Sequence, residues 1–144
     1  MFLFTIILQI ILLMPTTLNS VDKGSFKITI SGIRNSKGKI SVGIYNKKEN
    51  FPKENAVYKN IEGKISDGKC TLLVDNLPIG FYSIVLLHDE NENKVMDYNW
   101  IGIPQEGFGF SRNPNVKFRA PTFDETKIEL NKTMEEVNVM MKYM

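Results

Sequence analysis

The chain has 144 residues, a length that fits one domain once any leader is removed. Hydrophobic residues make up 42% and charged residues 24%, ordinary for a globular domain. The balance of 18 basic against 16 acidic residues leaves a formal charge of +2 without a dense Lys/Arg run, which argues against nucleic acid as a partner.

Phe2 to Met14 is apolar apart from Thr5 and Gln9, and no charged side chain precedes Asp22. This run of about 13 residues falls short of the roughly 20 needed to cross a bilayer, and its length suits the apolar core of a secretory signal peptide. Pro15, Thr16, Thr17 and the small Ser20 follow as a cleavage region. Residues 1–20 therefore read as a leader, and the mature chain is expected to begin near Val21. No Lys or Arg precedes the run, so only the α-amino group supplies positive charge there; an uncleaved anchor is the alternative. Export to the periplasm, the outer envelope or the medium is implied, with no membrane span after cleavage. Cys70 is the only cysteine, so no internal disulfide forms, and its alternation with Leu72 and Val74 suits a buried, inert thiol.

Beyond the leader, period-two alternation dominates. Phe26, Ile28 and Ile30 alternate with polar residues, as do Ile40, Val42 and Ile44 after the Asn35-Ser36-Lys37-Gly38 turn signal. The first two strands look like a hairpin. Phe51-Pro52 breaks the pattern. A weaker strand is read over 57–65, closed by Asp67-Gly68, and another over 70–74. A turn over 75–80 follows, with Pro78 and Gly80. Residues 81–87 are the most apolar run, as expected of a central strand covered on both faces. Two final strands are read at 126–130 and 137–143. About seven short strands with no convincing helix predict an all-β fold, an antiparallel β-sandwich of immunoglobulin or prealbumin type. Between 88 and 121 lies a long irregular insert, too rich in apolar residues for disorder (Trp100, Ile101, Ile103, Phe108, Phe110). It is expected to be a folded loop packed against one end of the sandwich.

Chemistry concentrates in that insert. Asp89, Asn91, Asn93, Val95 and Asp97 lie at steps of two, the spacing at which one loop can offer calcium alternate side-chain oxygens and a backbone carbonyl. Two positions depart from the EF-hand pattern: Lys94 stands where a glycine is expected, and Trp100 where a bidentate Glu is expected. Glu106 is a candidate for the missing carboxylate from outside the loop, as are Glu90 and Glu92 in a different register. Asp and Asn also suit an unmetallated turn. The stretch from Gly102 to Asn113 has closely spaced glycines with Phe108 and Phe110 as anchors, and lacks the features of a phosphate cradle or a nucleophile elbow around Ser111. His88 is the only histidine, so a zinc site would have to lean on carboxylates. Asn131-Lys132-Thr133 is a glycosylation sequon, meaningful only in a eukaryotic source.

The order His-Asp-x-Asn-x-Asn-x-x-x-Asp, Gly-Ile-Pro-x-Glu-Gly-Phe-Gly-Phe-Ser and then Pro121-x-Phe123 resembles family 2141 of the domains of unknown function, exported and mostly bacterial proteins. The resemblance runs from about Phe26 to Leu130, and Lys94 departs from the glycine usual in that family's loop. It implies no activity. Leu77-Pro78-Ile79-Gly80-Phe81-Tyr82 is similar, more weakly, to prealbumin-like sandwiches of the carboxypeptidase-regulatory type.

These observations lead to a non-enzymatic exported sandwich. Asp89, Asn91, Asn93, Val95, Asp97 and Glu106 are its calcium candidates. His88, Trp100, Phe108, Phe110 and Ser111 form a binding end for a cell-envelope protein or glycan. The alternatives are a metal-assisted hydrolase using His88, Asp89 and Glu106, and a purely structural envelope module.

Overall fold

The computed structural model describes residues 22–117 and 119–144, so the expected leader and its cleavage point lie outside the described residues. The strands are β1 (Lys23–Ser31), β2 (Lys39–Tyr45), β3 (Lys59–Gly63), β4 (Cys70–Pro78), β5 (Gly80–Asp89), β6 (Gly107–Phe110), β7 (Ile128–Leu130) and β8 (Met134–Met140), with one turn of helix, α1 (Phe123–Thr126), before β7. They build two sheets. The smaller runs β4-β1-β8; the larger runs β3-β2-β5-β6, and β7 also pairs with β5. Alternating residues of both sheets meet in one core: Phe26, Ile28 and Ile30 of β1 and Val137 and Val139 of β8 lie with Val42 and Ile44 of β2 and Ile84 and Leu86 of β5. The Phe26 and Tyr82 rings meet edge to face at 5.7 Å. Cys70 belongs to this core, and burial pushes its thiol pKa up, in keeping with an inert side chain. The all-β sandwich expected from the alternation is the fold. No helix of the described residues is long and apolar enough to cross a membrane.

Several connections differ from the reading above. β1 and β2 are not a hairpin: β1 pairs antiparallel with β4 and parallel with β8, while β2 pairs with β3 and β5. The turn between them carries the chain from one sheet to the other, a step that alternation alone cannot register. The strand read to end at Val74 continues to Pro78, through Asn76 at a φ of 65°, so the turn into β5 shrinks to Ile79. Residues 123–126, expected to open a strand in part, are helical because Thr122 and Glu125 form a reciprocal capping box. The last strand lies three residues earlier than read, at Met134–Met140.

The insert holds a strand that was read as loop. β6 pairs antiparallel with the second half of β5, Val85 opposite Phe110 and Leu87 opposite Phe108. β7 pairs with the first half of the same strand, Gly80 opposite Leu130. Phe108 and Phe110 thus share the outer face of the larger sheet with Val85 and Leu87. Gly107 and Gly109 turn to the inner face, where a Cβ on Gly107 would collide with the Tyr143 ring and one on Gly109 would press on Leu86 and the Met140 carbonyl. The Gly-Phe-Gly-Phe repeat is therefore a period-two strand whose inner positions have no room for a side chain.

Candidate functional site

β5 ends by delivering His88 and Asp89 to the start of the insert. His88 is fully buried. Its Nε2 lies 2.8 Å from the Lys37 carbonyl, which can only accept, so that nitrogen carries the proton. In the neutral ring Nδ1 then accepts from the Tyr143 hydroxyl at 2.8 Å, with the Glu90 carboxylate 3.8 Å away, and the same hydroxyl accepts from the Arg34 backbone N–H at 3.2 Å. The Arg34 guanidinium lies over the Tyr143 ring at 4.6 Å, donates from Nε to Glu90 at 2.7 Å and reaches the Gln105 carbonyl. Burial pushes the Glu90 carboxyl up, but hydrogen bonds from Asn35 and Arg34 outweigh it and hold the group below the usual carboxylate range. This cluster was not expected from the sequence, where Asn35 reads only as part of a turn signal and Glu90 only as an alternative loop carboxylate. Arg34 and Asn35 come from the β1–β2 turn, Glu90 from the start of the insert and Tyr143 from the segment after β8, and no local spacing links the three segments.

The loop beyond is organised around Asp89, which is 5% exposed. Its two carboxylate oxygens accept from the backbone N–H groups of Asn93 at 3.1 Å and Lys94 at 2.8 Å. Asn91 and Asn93 each accept from the backbone N–H two residues on, at 3.1 and 3.0 Å. Asp97 faces back toward them and accepts from the side-chain amides of Asn91 at 2.6 Å and Asn93 at 3.0 Å. Lys94 has a φ of 69°, so it takes the left-handed conformation for which a glycine was expected. Asp89, Asn91, Asn93 and Asp97 are therefore brought together. Val95 is half exposed and its backbone N–H closes the Asn93 turn. Glu106, 4% exposed, stands beneath the loop: its two oxygens accept from the backbone N–H groups of Glu90 at 2.9 Å and Asp97 at 3.2 Å, tying the loop's first and last turns together.

The rest of the insert lies across the outer face of the larger sheet rather than only at its end. Residues 98–104 form a small hairpin: Tyr98 bridges Pro104, and the Asn99 side chain accepts from the N–H groups of Ile101 and Ile103. At its tip Trp100 is 95% exposed. Beneath lies a groove of about 630 Å³ lined by Val85, Leu87, Phe108 and Phe110, with Met96 before the hairpin, Ile103 within it, and Lys117 and Arg119 from the returning chain. Ser111 is fully buried at the junction of β6 and β7: its hydroxyl donates to the Thr126 carbonyl at 2.6 Å and accepts from the Ile84 N–H at 3.0 Å. Of the expected binding end, Trp100 is at the surface and Phe108 and Phe110 form a groove floor, while His88 and Ser111 are interior supports.

Among the described residues, no three His, Cys, Asp or Glu side chains converge to hold a metal ion. The oxygens of the loop are the carboxylates of Asp89 and Asp97 with the side-chain amide oxygens of Asn91 and Asn93, hard donors of the kind that suits calcium rather than zinc. A family model described as "Uncharacterized protein conserved in bacteria (DUF2141)" matches residues 28–138. No curated protein and no solved structure matches the chain, and the likeness to prealbumin-like sandwiches gains no support from the comparisons.

Proposed function

The chain belongs to the DUF2141 family, uncharacterized proteins conserved in bacteria, and we propose that within it this is an exported, non-catalytic β-sandwich module whose 88–97 loop takes up calcium. The observation that carries this reading is the grip of Asp89 on the N–H groups of Asn93 and Lys94, with Lys94 left-handed at the position where a calcium loop turns most sharply. That geometry gathers Asn91, Asn93 and Asp97 on one side of the turn. A carboxylate or amide oxygen has two acceptor directions, so one N–H bond fixes it without using it up. Calcium would replace the amide protons of Asn91 and Asn93 as the partner of Asp97. Supporting the non-catalytic part, His88 and Ser111 are both buried with their polar atoms engaged.

With two loop carboxylates, affinity should be on the order of 10⁻⁴–10⁻³ M, as in extracellular modules. At about 1 mM free calcium and a Kd of about 10⁻⁴ M, binding to the folded state alone stabilises it by about 1.4 kcal/mol. Thermal melts should therefore rise by a few degrees with calcium, fall back with chelator and respond less to magnesium, which demands tighter octahedral geometry. Asp97→Asn keeps the loop's shape and removes one charge, and should abolish most of the shift. No shift up to about 10 mM calcium, a hundredfold above that Kd, or an equal shift in Asp97→Asn, returns the loop to an ordinary Asx-rich turn.

Export has its own test. Mass-spectrometric reading of the processed protein should place its first residue near Val21; an intact Met1 on a membrane-retained chain would rule the cleaved form out.

A further inference from the structure

We propose that the outer edge of β4 pairs antiparallel with the same edge of a second copy of this chain, joining two three-stranded sheets into one. This goes beyond the calcium reading and does not depend on it. β4 and β8 end the smaller sheet, and β3 and β6 end the main run of the larger. All but β4 are guarded. The Asn113 side chain lies along β8, donating to the Asn138 carbonyl at 3.1 Å and accepting from the Met140 N–H at 2.8 Å. Phe108 of β6 exchanges both of its backbone bonds with Lys142. β3 has only five residues and carries Lys59 and Glu62, a short, charged edge of the kind that resists pairing. β4 runs for nine residues without a lysine, and among the described residues its backbone pairs only with β1.

Alternate residues of an antiparallel strand turn both backbone groups to the same side. Lys69 turns its N–H and carbonyl away from β1, to Ser66, and Asp75 turns its carbonyl to the Lys59 ammonium at 3.0 Å. Thr71 and Leu73 lie between them in the same phase, so their N–H and C=O groups also point outward. Both residues are exposed, Leu73 by 52%. Such a row is a template for another strand, and here the row is its own complement. In an antiparallel pair centred on Leu73, Leu73 meets its copy and Thr71 meets Asp75, each pair exchanging two backbone bonds. Leucine covers leucine, a hydroxyl faces a carboxylate, and no charge opposes its like. Centring on Leu72 or Val74 would set groups already bonded to β1 against the partner. At Asn76 the φ of 65° ends the regular strand, which confines the pair to Thr71–Asp75. The Lys59 contact with Asp75 is exposed, and an incoming N–H displaces it.

So short a pair makes a weak dimer, with a Kd on the order of 10⁻⁵–10⁻⁴ M. The test is sedimentation equilibrium of the purified protein in chelator, from about 5 μM to about 1 mM, a range that spans that Kd. The average mass should climb from one chain toward two. Leu73→Pro removes an N–H that β1 does not use, and should keep the protein monomeric throughout while it still melts cooperatively. Should that variant not fold, Leu73→Lys sets a charge against its own copy and should weaken the dimer about tenfold. Cross-linking checks the register. Opposed Cα atoms in such a pair lie about 5.5 Å apart, within disulfide reach, so Leu73→Cys should form covalent dimers on mild oxidation. Glu129→Cys, exposed on β7, should not. The proposal is overturned by a protein that stays monomeric at about 1 mM, at least ten times that Kd. It is equally overturned by association that a folded Leu73→Pro or Leu73→Lys variant leaves unchanged, or by cross-linking no faster in Leu73→Cys than in Glu129→Cys. Calcium is absent throughout, so none of these outcomes bears on the loop, and a missing calcium shift does not bear on the β4 edge.

Discussion

Glu106→Ala should destabilise the protein by about 3 kcal/mol and free the 88–97 loop from the sandwich. Glu106 is 4% exposed and accepts two backbone N–H groups, from Glu90 and Asp97. Hydrogen bonds to a charged acceptor contribute roughly 1.5–3 kcal/mol each. Truncation leaves both N–H groups without a partner, and partial access of water offsets some of that loss. The melting temperature should fall by roughly 10 °C for a domain of this size. Amide exchange should quicken most at Glu90 and Asp97 and hardly at all in β1 or β8. Glu106→Gln is a sharper probe. It keeps one acceptor oxygen but sets an amide NH₂ against the other N–H, so it should lose at least half as much as alanine. A melt within about 0.5 kcal/mol of the unsubstituted protein, the range of an ordinary surface change, would show that the clasp contributes little.

That clasp also marks where sequence reading stops. Alternation of apolar and polar residues identified β1, β2 and β4 because each buries one face in the core, and burial is written in period two, while β5 was read from its continuous apolar run. The pairing of those strands was not legible. A turn such as Asn35-Ser36-Lys37-Gly38 reverses the chain equally well within a sheet or across two, and only the packing decides. β6 escaped because its inward positions are Gly107 and Gly109, so the apolar side chains sit on the outer face alone and the repeat reads as a folded loop anchored by its phenylalanines. The helix turn at Phe123–Thr126 could have been found: Thr122 and Glu125 are a capping box in plain view. In the loop, the spacing of Asp89, Asn91, Asn93 and Asp97 did predict side chains that converge. Lys94 looked like a defect because a glycine is the usual solution to positive φ, whereas here the backbone bonds to Asp89 hold a lysine there. Glu106 looked like a spare ligand because spacing gives proximity but not direction; its oxygens point at backbone N–H groups. The Arg34–Glu90–Tyr143 cluster is assembled from distant segments and has no local signature at all.

His88 anchors that cluster to the core, and its replacement should have the largest effect at this end of the molecule. The ring is fully buried, donating to the Lys37 carbonyl from Nε2 and accepting the Tyr143 hydroxyl at Nδ1. His88→Ala removes a packed ring and strands both partners. Large-to-small substitutions in a core cost about 2–5 kcal/mol, and the abandoned polar groups place this one in the upper part of that range, about 4 kcal/mol. Tyr143→Phe keeps the ring under Arg34 and removes only the hydroxyl, which leaves Nδ1 and the Arg34 N–H unpaired at a partly exposed position, so about 1–2 kcal/mol should be lost. Since the two substitutions share one hydrogen bond, the double variant should cost about 1 kcal/mol less than their sum. Denaturant melts of the four proteins measure this directly. Simple additivity would mean that the 2.8 Å contact contributes nothing and that His88 acts by filling space alone. A non-additive result would show that Tyr143, to which β8 carries the chain, and His88, at the end of β5 from which Asp89 begins the loop, hold each other in place.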